Sequence, residues 1–164
     1  SDTPETIGSK TWGSKIPPRL VTWVRLADRQ THRAFYVLTT HLDGNKQAQE
    51  KSVRLIRQRV GALDPALPVL LTGDFNVVPG RDATYDAFVG DQFFTDTWIL
   101  AGSRRGEGFS TFNGFKALVR NERRIDWILA RGNVTVDAAE IITFAREGSF
   151  PSDHLPVVAW LRFP

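Results

Sequence analysis

The order of apolar segments along the chain predicts an α/β fold. Three observations carry the prediction: a short run apolar on both faces at 68–72, an amphipathic helical pattern at 45–63 just before it, and further segments rich in Val, Ile and aromatic residues around both. At 164 residues the chain fits one domain, 1–164. A domain of that size buries roughly 70% of the surface its unfolded form exposes.

Residues 1–18 are rich in Ser, Thr, Gly and Pro and read as an extended connector. From 20 to 26, Leu20, Thr22, Val24 and Leu26 alternate with Val21, Trp23 and Arg25, which suits a strand. A polar turn at 28–33 and a second strand at 34–40 complete a hairpin. Over 45–63, Val53, Ile56, Val60 and Leu63 share one face of a helix, and Gly61 and Pro65 mark its end. The strand at 68–72 delivers Asp74 at its exit, and 81–88 suits a short helix. Four glycines (102, 106, 108 and 114) make 102–114 a long loop. Segments 125–130, 134–144 and 157–161 read as the remaining strands, with Trp23, Trp127 and Trp160 expected to be structural.

Composition excludes several classes of chemistry. The absence of cysteine removes disulfides, thiolate zinc sites and cysteine nucleophiles, so any metal must be held by oxygen or imidazole. No apolar run approaches the roughly 20 residues of a membrane span, and the polar opening segment has no signal-peptide character, so no compartment is specified. The chain contains no methionine and reads as a processed product or a piece of a longer protein. Its net charge of +3 permits anionic partners without demanding them. Between Ile99 and Arg124, six basic residues (Arg104, Arg105, Lys116, Arg120, Arg123 and Arg124) face Glu107 and Glu122, a local +4. That segment is either a solvated loop or an electrostatic footprint for phosphate, with Trp98 and Phe115 flanking it.

The polar residues of interest sit at the ends of apolar strands, where sites of layered α/β proteins are built. His41 follows the second strand, Asp74 and Asn76 the third, Asp126 opens the next, and Asp153 and His154 precede the last. Hydrolysis of a phosphoester needs a hard cation held by oxygen, which Asp74, Asp153 and Asn76 can supply. It also needs a group that takes a proton from water. His154 oriented by Asp126 suits that role. A carboxylate between Ile125 and Trp127 would be costly if buried alone; His154, Arg123 or Arg124 could each partner it.

Thr-His-Leu-Asp at 40–43, Leu-Thr-Gly-Asp-Phe-Asn at 71–76, Arg-Ile-Asp-Trp-Ile at 124–128 and Ser-Asp-His-Leu-Pro-Val at 152–157 resemble, in that order, the endonuclease/exonuclease/phosphatase superfamily. The opening Ser-Asp-Thr-Pro-Glu and Ser-Lys-Thr-Trp-Gly at 9–13 resemble its small bacterial metal-dependent hydrolases. The resemblance implies a four-layer α/β sandwich, two mixed sheets face to face with helices outside. It implies that His41 contacts the scissile phosphate, Asp74 positions the attacking water, and Asn76 binds phosphate. Asp126 would orient His154, Asp153 would join Asp74 and Asn76 in holding Mg2+ or Mn2+, and Thr111 and Phe112 would border the substrate, with Arg104 and Arg105 on the basic loop.

The family pattern also begins with a strand ending in Asn and another ending in a metal-binding Glu, and neither is present before Ser1. The expectation is therefore a domain lacking its N-terminal strands, monomeric, acting on a phosphate ester of nucleic acid, a phosphorylated small molecule or a lipid head group. A catalytically incompetent fragment or binding module, and a phospholipid phosphodiesterase, are the alternatives.

Overall fold

The computed structural model describes residues 1–10, 12 and 17–163; Thr11 and Gly13 of the motif at 9–13 lie outside the described residues. Strands β1 (Val21–Ala27) and β2 (Ala34–His41) form the expected antiparallel hairpin, running from Val21 opposite Thr40 to Ala27 opposite Ala34. Its turn is closed by the Asp28 carboxylate, which accepts the backbone N–H groups of Gln30 (3.0 Å) and Thr31 (2.6 Å). Helix α1 (Lys46–Gly61) crosses over to β3 (Val69–Asp74), which pairs parallel with β2. Asn45 caps the helix by accepting Ala48 N–H at 3.1 Å. Helix α2 (Ala83–Val89) is capped in the same way by Asp82.

Strand β6 (Asp126–Arg131) lies antiparallel to β3 and carries the two-residue β4 (Thr95–Asp96) on its other edge, giving a five-stranded mixed sheet of order β1-β2-β3-β6-β4. A second sheet, β5-β7-β8, is formed by Ser103–Arg105, Thr135–Ile141 and Val157–Arg162 and is also mixed. Short α3 (Thr97–Leu100) contacts both β6 and β7 and so bridges the sheets. Strands β4 and β5 and helix α3 were not expected. The glycine-rich stretch at 102–114 begins as a strand, because its first residues find a ready edge on β7.

Alternation along the strands separates the two faces of the large sheet. Leu38, Leu71 and Leu129 lie in register and are buried with Val53, Ile56 and Val60 of α1 and Phe88 of α2. Each such side chain contributes about 1.5–3 kcal/mol of hydrophobic stabilisation. Trp127 is stacked on Phe75 at 4.3 Å and 10°, with Tyr85 and Phe88 edge-on to it. The opposite face carries Ile128, which lines a cleft together with Val157 of β8 and so faces the smaller sheet. Of the three tryptophans expected in the core, only Trp127 is there. Trp23 is 57% and Trp160 48% exposed, because each lies on a strand at the edge of its sheet.

Behind the start of β6 lies a buried ion pair. Both Arg124 amino groups reach Asp96, the shorter contact at 2.5 Å, and the two residues are 7% and 2% exposed. Tyr85 donates its hydroxyl to the same carboxylate at 3.0 Å, and Trp98 N–H donates to its other oxygen at 2.9 Å. Burial, then the neighbouring Asp96 charge, holds the Tyr85 phenol far above its ordinary range. Arg124 therefore belongs to the interior and pairs with Asp96 rather than Asp126.

Strands β2 and β3 approach so closely at Thr40 that only glycine fits at 73. Its φ is +148°, and a Cβ there would stand 1.8 Å from the Thr40 carbonyl oxygen. Two substitutions test these constraints. Asp96→Ala leaves a buried guanidinium unpaired and is expected to lower the unfolding free energy by about 3–5 kcal/mol in urea denaturation. Gly73→Ala is expected to cost more than about 1 kcal/mol and to depress the melting temperature, since strain and the steric conflict add.

Candidate active site

The β2–β3–β6 register that aligns the leucines on one face aligns polar groups on the other. His41 pairs with Asp74, and Asp74 with Asp126, so three strand ends present a row of side chains at one edge of the sheet. His154 arrives from the segment before β8. Its Nδ1 lies 2.9 Å from Asp126 Oδ2, and its Nε2 is 3.9 Å from Asp74 Oδ2. The same Asp74 oxygen is 3.2 Å from His41 Nε2. The result is an alternating chain, Asp126–His154–Asp74–His41, in which the Asp126 and Asp74 side chains are 19% and 13% exposed while the His41 side chain is 50% exposed.

Local geometry fixes each member. Gly73 sets the exit of β3; the other Asp74 oxygen then accepts Asn76 N–H at 2.8 Å, closing a turn in which Asn76 takes φ +55°. The Asn76 amide donates to the Leu42 carbonyl at 2.9 Å, and Leu42 N–H donates to the Asp74 carbonyl, so the loops after β2 and β3 are tied together. Ser152 accepts His154 N–H at 3.1 Å.

Electrostatics oppose one another across the pair. Burial raises the Asp126 carboxyl above its usual range, against hydrogen bonds from Thr111 and His154 that favour the charged form. For His154 burial acts downward, yet the Asp126 hydrogen bond and charge, with Asp74 and Asp153 behind, leave its pKa raised. Such an imidazole, pinned at Nδ1, offers Nε2 for proton transfer.

Asp74, Asp126 and His154 each offer a ligand atom within 4.8 Å of the others, a constellation that could hold a metal ion. Two carboxylates and an imidazole form a donor set compatible with a hard or borderline divalent cation. The Asp153 carboxylate is outside this group. Its backbone carbonyl accepts Asn113 N–H at 2.8 Å and Gly114 N–H at 3.1 Å, while its charge still acts on His154.

The residues expected to meet substrate are placed differently from one another. Phe112 is 44% exposed and stands edge-on to the His154 ring at 5.0 Å, and it bridges to His154 through the backbone. Thr111 is fully buried and presents no surface to a ligand. Arg104 and Arg105 lie on β5, away from the residues lining the cleft, and Arg104 is held by Glu107 at 2.6 Å. Arg120 lies over Phe109 and donates to the Glu107 carbonyl. Of the six cations of the basic segment, Arg105, Lys116 and Arg123 remain as exposed side chains for which no partner is described. Sequence reasoning missed the Arg124–Asp96–Tyr85 network. Its one signal was an acidic residue at 96 set between Phe94 and Trp98.

The model of the Endonuclease/Exonuclease/phosphatase family matches residues 10–154. A mannosyl-6-phosphatase of Bacteroides thetaiotaomicron VPI-5482 is 31% identical, with 94% of this chain aligned to 61% of that one at a TM-score of 0.85. An endonuclease/exonuclease/phosphatase of Bacteroides vulgatus is 27% identical over 98% of this chain and 61% of its own, with a TM-score of 0.88. TDP2 of D. rerio, solved with a single-strand DNA product, shares the fold at 23% identity, TM-score 0.67, over 88% of this chain and 62% of its own. No curated protein sequence matches. The chain thus spans about three-fifths of the length of these structures. With its four motifs gathered at one sheet edge and the family model matching nearly its whole length, the chain belongs to the endonuclease/exonuclease/phosphatase family.

Proposed function

We propose that this chain supplies the base-bearing face of a divalent-metal-dependent phosphoesterase that attacks phosphorus with water. The observation that carries the reading is the alternating Asp126–His154–Asp74–His41 chain, in which each imidazole is held against a carboxylate. His154, oriented through Nδ1 by Asp126, takes the proton of the attacking water at Nε2. Asp74 orients that water. His41, the most exposed member, donates to a phosphoryl oxygen, and Asn76, tied by its amide to the Leu42 carbonyl, has its Oδ1 taken by no described donor. Mg2+ or Mn2+ would be held by Asp74, with the Asn76 amide oxygen contributing while Asp126 and His154 stay paired with each other, and would neutralise charge on the phosphoryl oxygens when bound.

A phosphomonoester of a small molecule is the favoured substrate, since the 31%-identical solved structure is a sugar phosphatase. A phosphodiester of nucleic acid or a lipid head group is the other arm of the test. The exposed cations Lys116 and Arg123 suit any of these anions. No helix among the described residues is long and apolar enough to cross a membrane.

Hydrolysis of p-nitrophenyl phosphate and of bis-p-nitrophenyl phosphate, with Mg2+ or Mn2+ supplied, tests the proposal. Turnover is expected to vanish with EDTA and to return with the metal. His154→Ala should lower kcat by about 100- to 10,000-fold with the melting temperature nearly unchanged. Retained phosphate binding without turnover on either ester would favour a binding module instead. The reaction needs His154 unprotonated and its pKa is displaced upward, so the acid limb of kcat/KM should fall above the ordinary imidazole value of 6.5. Asp126→Asn removes the main raising partner. It should move that limb to lower pH while reducing kcat.

A further inference from the structure

Thr111 was expected to border the substrate, yet it is 0% exposed and its contacts all point inward. Its hydroxyl oxygen accepts two backbone donors, Ile125 N–H at 2.9 Å and Asp126 N–H at 3.2 Å. A threonine hydroxyl has two acceptor lone pairs and one proton. With both lone pairs engaged, the hydroxyl oxygen holds the backbone at the point where Asp126 begins β6. The main chain of the same residue reaches the other half of the pair: Leu155 N–H, next to His154, donates to the Thr111 carbonyl at 2.7 Å. Thr111 N–H in turn donates to the Arg123 carbonyl at 3.1 Å, just before β6.

We propose that Thr111 is the positioning residue of the Asp126–His154 pair, its hydroxyl fixing the backbone from which the Asp126 carboxylate projects and its carbonyl fixing the segment that carries the imidazole. Asp126 is the first residue of β6, where a strand end leaves its side chain free to rotate unless something holds it. One oxygen is held by His154. A single hydrogen bond fixes a distance but not a plane. A second anchor, the Thr111 hydroxyl on the Asp126 backbone N–H, fixes the base of that side chain and so the direction in which His154 Nε2 points. Outer partners of this kind, when removed, cost about 10- to 100-fold in activity at comparable sites.

The inference rests on the general-base reading of His154, and its test is built to separate the two. Thr111→Val keeps the shape and removes the hydroxyl; Thr111→Ser keeps the hydroxyl and removes a methyl. In ring-selective 15N NMR of the whole chain, the wild type and Thr111→Ser are expected to show His154 as one tautomer with a hydrogen-bonded Nδ1 proton. Thr111→Val is expected to lose or broaden that resonance while its amide spectrum stays folded. In turnover assays Thr111→Val should lower kcat about 10- to 100-fold with KM within about twofold, and Thr111→Ser should recover most of the loss. An unchanged His154 resonance in folded Thr111→Val would overturn the inference. So would a rise in KM at constant kcat, which marks a substrate contact. If the wild type hydrolyses no phosphoester, the proposed function fails, and the NMR comparison still decides the role of Thr111. If Thr111→Val does not fold, a Thr111→Ser variant lacking the wild-type resonance overturns the inference and one that keeps it supports it.

Discussion

The close passage of β2 and β3 at Thr40 and Gly73 is the constraint on which the site depends. A side chain at 73 has nowhere to go, so the two backbones lie near enough for parallel pairing to continue one step further, to His41 and Asp74. Antiparallel pairing of β6 then brings Asp126 opposite Asp74. Because side chains alternate along a strand, the step that buries Leu38, Leu71 and Leu129 against the helices turns the polar row to the other face. Packing and chemistry are two faces of one register, and a slip of one residue would lose both.

The charges at this edge are supported by dissimilar means. Arg124 and Asp96 are sealed in the interior, where their worth lies less in net stability than in fixing how the chain enters β6. Asp126 is only partly sealed, and burial resists its ionisation. What keeps it useful is a set of directed contacts, from His154 on one side and Thr111 on the other. The site therefore combines a rigid entry to the strand with a carboxylate whose charge is locally sustained.

Much of this was legible in the chain itself. Helix α1, the first hairpin and β3 follow from periodicity and capping residues, and the core strands from continuous apolar runs. Four strand-end motifs in order named candidate site residues, and the structure brings His41, Asp74, Asn76, Asp126 and His154 to one edge of the sheet. The misreadings have a common origin in tertiary pairing. A three-residue strand such as β5 has no periodicity to detect and exists because β7 offers it an edge. Trp23 and Trp160 fit a core by type, yet an edge position exposes them. Arg124 reads as one more surface cation until Asp96 is found against it, and Thr111 reads as a lip of the site until its burial is seen.

The parallel pairing of β2 with β3 has a further consequence, for the order of events in folding. A hairpin and a helix are local and form early, whereas joining β2 to β3 closes a loop around α1, and adding β6 closes a longer one. No partially assembled chain that has only its local elements holds His41, Asp74 and Asp126 in a row. The polar row at the sheet edge then appears at the close of folding rather than by degrees, and the His154–Asp126 contact would serve as a more exacting report of native topology than helix content.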